Sequence, residues 1–121
     1  MIHLDTSFLI QAVRGEPAEA RRLRAWLHDG EDVAISAMAW AEFLCGPLSR
    51  EAGRNAAAIL GEAVALTASH AHLAAELFNA SGRRRGTLGD CLIAACALEA
   101  RALLATSNPK DFERMPGVQL A

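Results

Sequence analysis

The sequence predicts a three-layer α/β domain, a small and mostly parallel sheet of four to five strands flanked by helices. Three observations carry this. Short apolar stretches alternate with longer helical patterns along the whole chain. Because a helical segment separates successive strands, each strand returns by a crossover, which makes the strands parallel and covers both faces of the sheet. The length, 121 residues, suits one domain spanning 1–121, able to bury roughly two thirds of its unfolded surface.

The elements run in order. Ile2–Leu4 is a first strand, and Asp5-Thr6-Ser7 starts a helix in which Phe8, Leu9, Ile10 and Val13 recur at helical spacing. Gly15 ends it. Pro17 suits the first turn of a second helix, which sets Ala20, Leu23, Trp26 and Leu27 on one side and Arg21, Arg22 and Arg24 on the exposed remainder, closed by Gly30. Val33-Ala34-Ile35 is a second strand. Ser36 then caps a helix that runs through Trp40, Phe43 and Leu44 to Gly46-Pro47, with Trp40 and Phe43 expected in the core or at a dimer contact.

A polar helix over 49–60 leads to a third strand at 63–66, and Ser69 opens a helix carrying Leu73, Leu77 and Phe78. Gly82-Arg83-Arg84-Arg85-Gly86 is a loop by its flanking glycines. The pattern predicts a helix over 88–101 with Leu88, Cys91, Leu92 and Ala95 on its core face, then a fourth strand at 103–106. Ser107-Asn108-Pro109 turns the chain into a short helical piece ending near Met115, and 118–120 supplies a small fifth strand.

Composition narrows the function classes. With 52% hydrophobic but only 5% aromatic residues, the core is expected to be closely packed aliphatic helices on a small sheet. A formal net charge of -2 gives no global attraction for a polyanion, so RNA or DNA would have to meet a local basic patch or bound cations. Cys45, Cys91 and Cys96 form no CxxC pair and lie in apolar surroundings, which predicts reduced, buried thiols. No stretch approaches the roughly 18 apolar residues of a membrane span, and no basic segment precedes an apolar one at the start, so the expectation is a cytoplasmic protein that meets no membrane. His70 and His72 lack a third ligand nearby, which argues against zinc.

Four acids stand beside or inside core-forming runs: Asp5 after Met-Ile-His-Leu, Glu42 within ISAMAWAEFLCG, Asp90 ahead of CLIAACAL, and Asp111 past LLATSNPK. Acids so placed cap helices, pair with bases or hold metal, because burying a lone charge is costly. Asp5 and Asp90 each suit a helix start, and Asp111 suits the piece around Phe112, so capping is the plain alternative for these three. Glu42 sits in mid-helix, where capping is unavailable. Functional groups of an open parallel sheet collect beyond the carboxyl ends of its strands, where one pocket can gather all four. Their mutual repulsion would then raise one pKa or call in a divalent cation, and oxygen donors of this kind favour Mg²⁺ or Mn²⁺.

In sequence, DTSFLI, ISAMAWAEFLCG, LGDCLIAACAL and LLATSNPKDF resemble the four ordered motifs of PIN-domain ribonucleases, most closely the VapC toxins of bacterial toxin-antitoxin pairs. The resemblance covers essentially the whole chain. It implies strand order 3-2-1-4-5, a homodimer, inhibition by a small cognate antitoxin protein, and cleavage of an RNA substrate by a metal-activated water. By position, Asp5, Glu42 and Asp90 match the family's three principal acidic metal ligands. The fourth position falls on the pair Asn108 and Asp111, the family placing an acid at either site. Thr6 and Ser7 match the small hydroxyl residues that follow the first acid, where they would hold Asp5 or a water. Arg83, Arg84 and Arg85 are either a solvated loop or a grip on phosphate.

Two other functions compete. A phosphatase using a covalent aspartate would want a second acid two residues after Asp5, where the chain has Ser7. A non-catalytic PIN-fold module that binds RNA or a partner would have lost the principal acids, and all three are present.

Overall fold

The computed structural model describes residues Met1 to Ala121. Strand β1 (Ile2–Leu4) lies between β2 (Val33–Ile35) and β3 (Leu103–Ala105), both parallel to it, giving sheet order β2-β1-β3. The register pairs Leu4 with Ile35 on one side and with Ala105 on the other. All three residues of β1 are buried, so both sheet faces are covered. Helices α1 (Thr6–Val13), α2 (Pro17–His28), α3 (Ala37–Cys45), α4 (Arg50–Leu60), α5 (Ala68–Ala80) and α6 (Leu88–Glu99) supply the flanking layers.

The third and fifth expected strands shrink to single bridges. Val64 pairs in parallel only with Ser36, and Leu120 only with Leu104. The cause is their neighbours. Beyond Ser36 the chain is already helical, so residues after Val64 have no strand to pair with, and β3 is itself only three residues long. The two bridges still stand on the outer sides of β2 and β3, which preserves the expected 3-2-1-4-5 sequence of neighbours. The fourth strand also stops at Ala105 rather than Thr106.

Local chemistry explains most helix starts. Asp5, Ser36 and Ser49 each accept a backbone N–H of the first turn of the helix they precede, which satisfies a donor left free by helix geometry. Thr67, not Ser69, caps α5, in a box in which His70 Nδ1 accepts the Thr67 N–H. α6 passes through the middle of the molecule. Cys91 and the run from Ile93 to Ala97 are buried on nearly every side, whereas Leu88, expected in the core, is 53% exposed in the first turn.

Phe8, Leu4, Leu9, Ile35, Phe43, Ile93 and Leu104 are fully buried, each contributing about 1.5–3 kcal/mol. Trp40 packs half-buried against Phe43. Arg22, expected on an exposed face, instead lays its guanidinium over the Phe8 and Trp26 rings at 5.5 and 5.0 Å. Cys91 and Cys96 are buried free thiols, but Cys45 at the end of α3 is exposed, against expectation. No helix is long and apolar enough to cross a membrane.

Candidate active site

The three parallel strands end together, and the residues beyond their carboxyl ends converge on one place. Asp5 comes directly after β1, α3 after β2 carries Glu42, and the turn after β3 carries Asn108 and Asp111. The first turn of α6 adds Asp90. These residues, with Thr6, Ser7 and Ile10, line a single open cleft of about 250 Å³. Each acid and hydroxyl singled out in the sequence therefore reaches the same site, while Arg83, Arg84 and Arg85 do not line it.

Asp5 is only 4% exposed and is firmly held. Its Oδ1 accepts the Thr6 N–H at 2.8 Å, so the acid does cap α1. Its Oδ2 accepts two hydroxyls, Ser7 Oγ at 2.8 Å and Thr106 Oγ1 at 2.7 Å. Those hydroxyls are fixed in turn by backbone donors, the Ser107 N–H to Ser7 and the Asn108 N–H to Thr106, each at 3.0 Å. Three donors on one carboxylate fix its direction. Capping and a place in the cleft are thus compatible roles for one side chain.

Thr106 is a residue that sequence reasoning missed. Its signal was a hydroxyl directly after an apolar strand in the fourth motif, but its partner Asp5 lies 101 residues away.

Glu42 is held from one side. Thr6 Oγ1 lies 2.8 Å from Glu42 Oε1 and 3.2 Å from the Ala39 carbonyl, and its single proton goes to the charged acceptor. Asp90 is the third residue of α6 and caps nothing, the helix starting after Thr87. Burial pushes the Asp90 carboxyl up to about 6, and the charges of Asp5, Asp111 and Glu42 push it the same way. Asp111 ends the short 3-10 turn Pro109–Asp111 and is exposed, as is Asn108 beside it.

The donor set of the cleft is all oxygen, with no histidine or cysteine in its lining, which suits Mg²⁺ or Mn²⁺ rather than zinc. No three of the acids converge as a ready-made ligand cage. A cation that keeps several of its own waters needs only one or two direct carboxylates, so the residues present fit a hydrated divalent cation of this class.

Against known proteins, the model of the PIN domain family matches residues 2–118. The chain belongs to the PIN-domain family. Ribonuclease VapC19 of Mycobacterium tuberculosis is similar to it, 32% identical over 122 aligned positions covering 96% of this chain and 95% of that one. Among solved structures, VapBC2 from Rickettsia felis bound to a promoter DNA fragment matches with a TM-score of 0.77 and 27% identity, covering 100% of this chain and 98% of the other. A toxin-antitoxin complex from Klebsiella pneumoniae matches with the same TM-score and identity over 98% and 95% of the two chains. The parallel three-stranded sheet with its two outer bridges is thus this PIN domain's form of the family fold.

Proposed function

We propose that this PIN domain is a metal-dependent endoribonuclease and the toxin of a VapBC-type toxin-antitoxin pair, acting in the cytoplasm. The observation that carries the reading is the acidic cleft itself, in which carboxylates from four separate elements share one open pocket and Asp90, pushed up first by burial, is pushed further by the charges of the other three. Mutual repulsion of that kind is relieved by a divalent cation. The similarity to a named ribonuclease and to toxin-antitoxin complexes supports the substrate class and the antitoxin partner. A homodimer goes with the same reading.

In this reading Asp5, Glu42 and Asp90 hold Mg²⁺ or Mn²⁺, one or two of them directly and the rest through its waters, and Asn108 and Asp111 orient water at the rim. The bound cation would supply a water of lowered pKa and positive charge opposite the phosphate. The chain's own residues do the rest. Ser7 and Thr106 keep Asp5 aimed, Thr6 fixes one oxygen of Glu42, and the exposed Asp111 carboxylate is free to accept a proton from an approaching water.

Purified protein is expected to cut RNA with Mg²⁺ or Mn²⁺, leaving 5′-phosphate and 3′-hydroxyl ends. Cutting stops with EDTA and in Asp5→Asn or Glu42→Gln. Cleavage that survives EDTA and both substitutions refutes the metal mechanism.

A further inference from the structure

Gly89 is the second residue of α6, and its backbone is ordinary helix, so local conformation does not call for glycine there. Glycine in a helix is less favourable than alanine by up to about 1 kcal/mol. The space left by the missing side chain is used by the facing helix α3. A Cβ at position 89 would stand 3.0 Å from Met38 Cε and 3.4 Å from Glu42 Oε2. Because Glu42 Oε1 is taken by the Thr6 hydroxyl, Oε2 is the oxygen free for a ligand. It rests against the very turn of α6 that carries Asp90.

We infer that Gly89 is a positioning residue, whose lack of a side chain leaves the Met38 tip its seat and keeps Glu42 Oε2 open to water and to the divalent cation it would share with Asp90. This role rests on the proposed metal site. Alanine there sets a methyl in van der Waals contact with Oε2 and strips water from that side of a charged atom. It also displaces Met38, one helical turn before Glu42 on the same face of α3. The hydroxyl clamp on Asp5 is untouched, since neither Gly89 nor Met38 takes part in it.

The two consequences of Gly89→Ala have opposite signs, which makes the test discriminating. Mn²⁺ titration followed by electron paramagnetic resonance, and thermal melts in EDTA, would be run on wild type, Gly89→Ala and Gly89→Ala with Met38→Ala. The single variant is expected to melt at or above the wild-type temperature without metal, yet to bind Mn²⁺ about tenfold more weakly. Removing the Met38 side chain should recover part of that affinity. Equal Mn²⁺ affinity in wild type and Gly89→Ala overturns the inference, and so does a variant that melts well below wild type, because the loss would then be structural. Failure of wild type itself to bind Mn²⁺ refutes the metal site instead.

Discussion

Replacing Asp90 by Asn should stabilise the metal-free protein while removing its response to metal. Asp90 lies half-buried among Asp5, Asp111 and Glu42, and its carboxyl is pushed from the ordinary 3.8 to about 6. A rise of that size corresponds to about 3 kcal/mol of preference for the neutral form. Half-exposure lets water screen the interaction, which leaves about 1–2 kcal/mol as the strain of holding the charge at neutral pH. Asparagine keeps the shape and drops the charge. It also loses an acid in the first turn of α6, where a negative charge contributes about 0.5 kcal/mol with the helix dipole. The net gain expected at pH 7.5 in EDTA is about 1 kcal/mol, or about 4 °C in melting temperature.

The sign of the pH dependence comes from the raised pKa. Between pH 4 and 6 folded Asp90 keeps a proton that the unfolded chain has released, so wild-type stability falls as pH rises through that window. The amide of the Asp90→Asn variant does not titrate, so the gap between variant and wild type should open across the window and be small at pH 4. Metal reverses the ranking. At one hundred times its dissociation constant a cation stabilises wild type by about 2.7 kcal/mol, and the variant should gain much less. Scanning calorimetry at several pH values, with EDTA and with Mg²⁺, reads all of this. A variant less stable than wild type in EDTA at pH 7.5 refutes the crowding of charge, and equal metal-induced shifts refute a ligand role for Asp90.

Other outcomes are expected from the same geometry. His3 is 2% exposed and its Nδ1 has no hydrogen-bond partner, so His3→Leu should stabilise the fold by about 1 kcal/mol in urea titration at pH 7. Burial holds the His3 pKa below 6.5, with the charges of His70 and the N-terminus adding to it. Wild-type stability therefore falls as pH drops below about 6.5, and the advantage of His3→Leu should widen on acidification; a constant gap would show that His3 does not titrate with unfolding. Thr106→Val removes the 2.7 Å donor to Asp5 at constant shape, and Mn²⁺ affinity should fall by about tenfold with the circular dichroism spectrum unchanged, while Thr106→Ser retains affinity. Equal affinity in all three would leave Thr106 no part in orienting Asp5.

Features decided within a few residues are legible along the chain. Asp5, Ser36 and Ser49 declare helix starts because the donor they satisfy is in the very next turn. Ser69 looks the better cap than Thr67 because the box that starts α5 uses a histidine, His70, where glutamate is the familiar partner. The expected strands at 63–66 and 118–120 have suitable residues, yet extended chain becomes strand only where a neighbour runs alongside, and Ser36 turns into helix too soon. Leu88 fails for a related reason. Its spacing matches the core face of α6, but in the first turn it is Gly89 that meets α3, and Leu88 is left exposed.

The same division holds inside the cleft, and it explains why its acids and the hydroxyls beside Asp5 were legible while two other supports, Thr106 and Gly89, were not. A carboxylate next to apolar residues is conspicuous in any window of sequence, since the burial it implies needs an explanation. A hydroxyl or a glycine is not. Thr106 gains its meaning only when β1 and β3 lie side by side and bring it within 2.7 Å of Asp5. Gly89 gains its meaning only when α3 and α6 cross close enough for a missing Cβ to matter. Both sit next to residues that the motifs did mark, at the end of β3 and one place before Asp90. For a parallel-sheet site, then, the positions flanking each acid and the first residue past each strand are where to look for the groups that aim the charges.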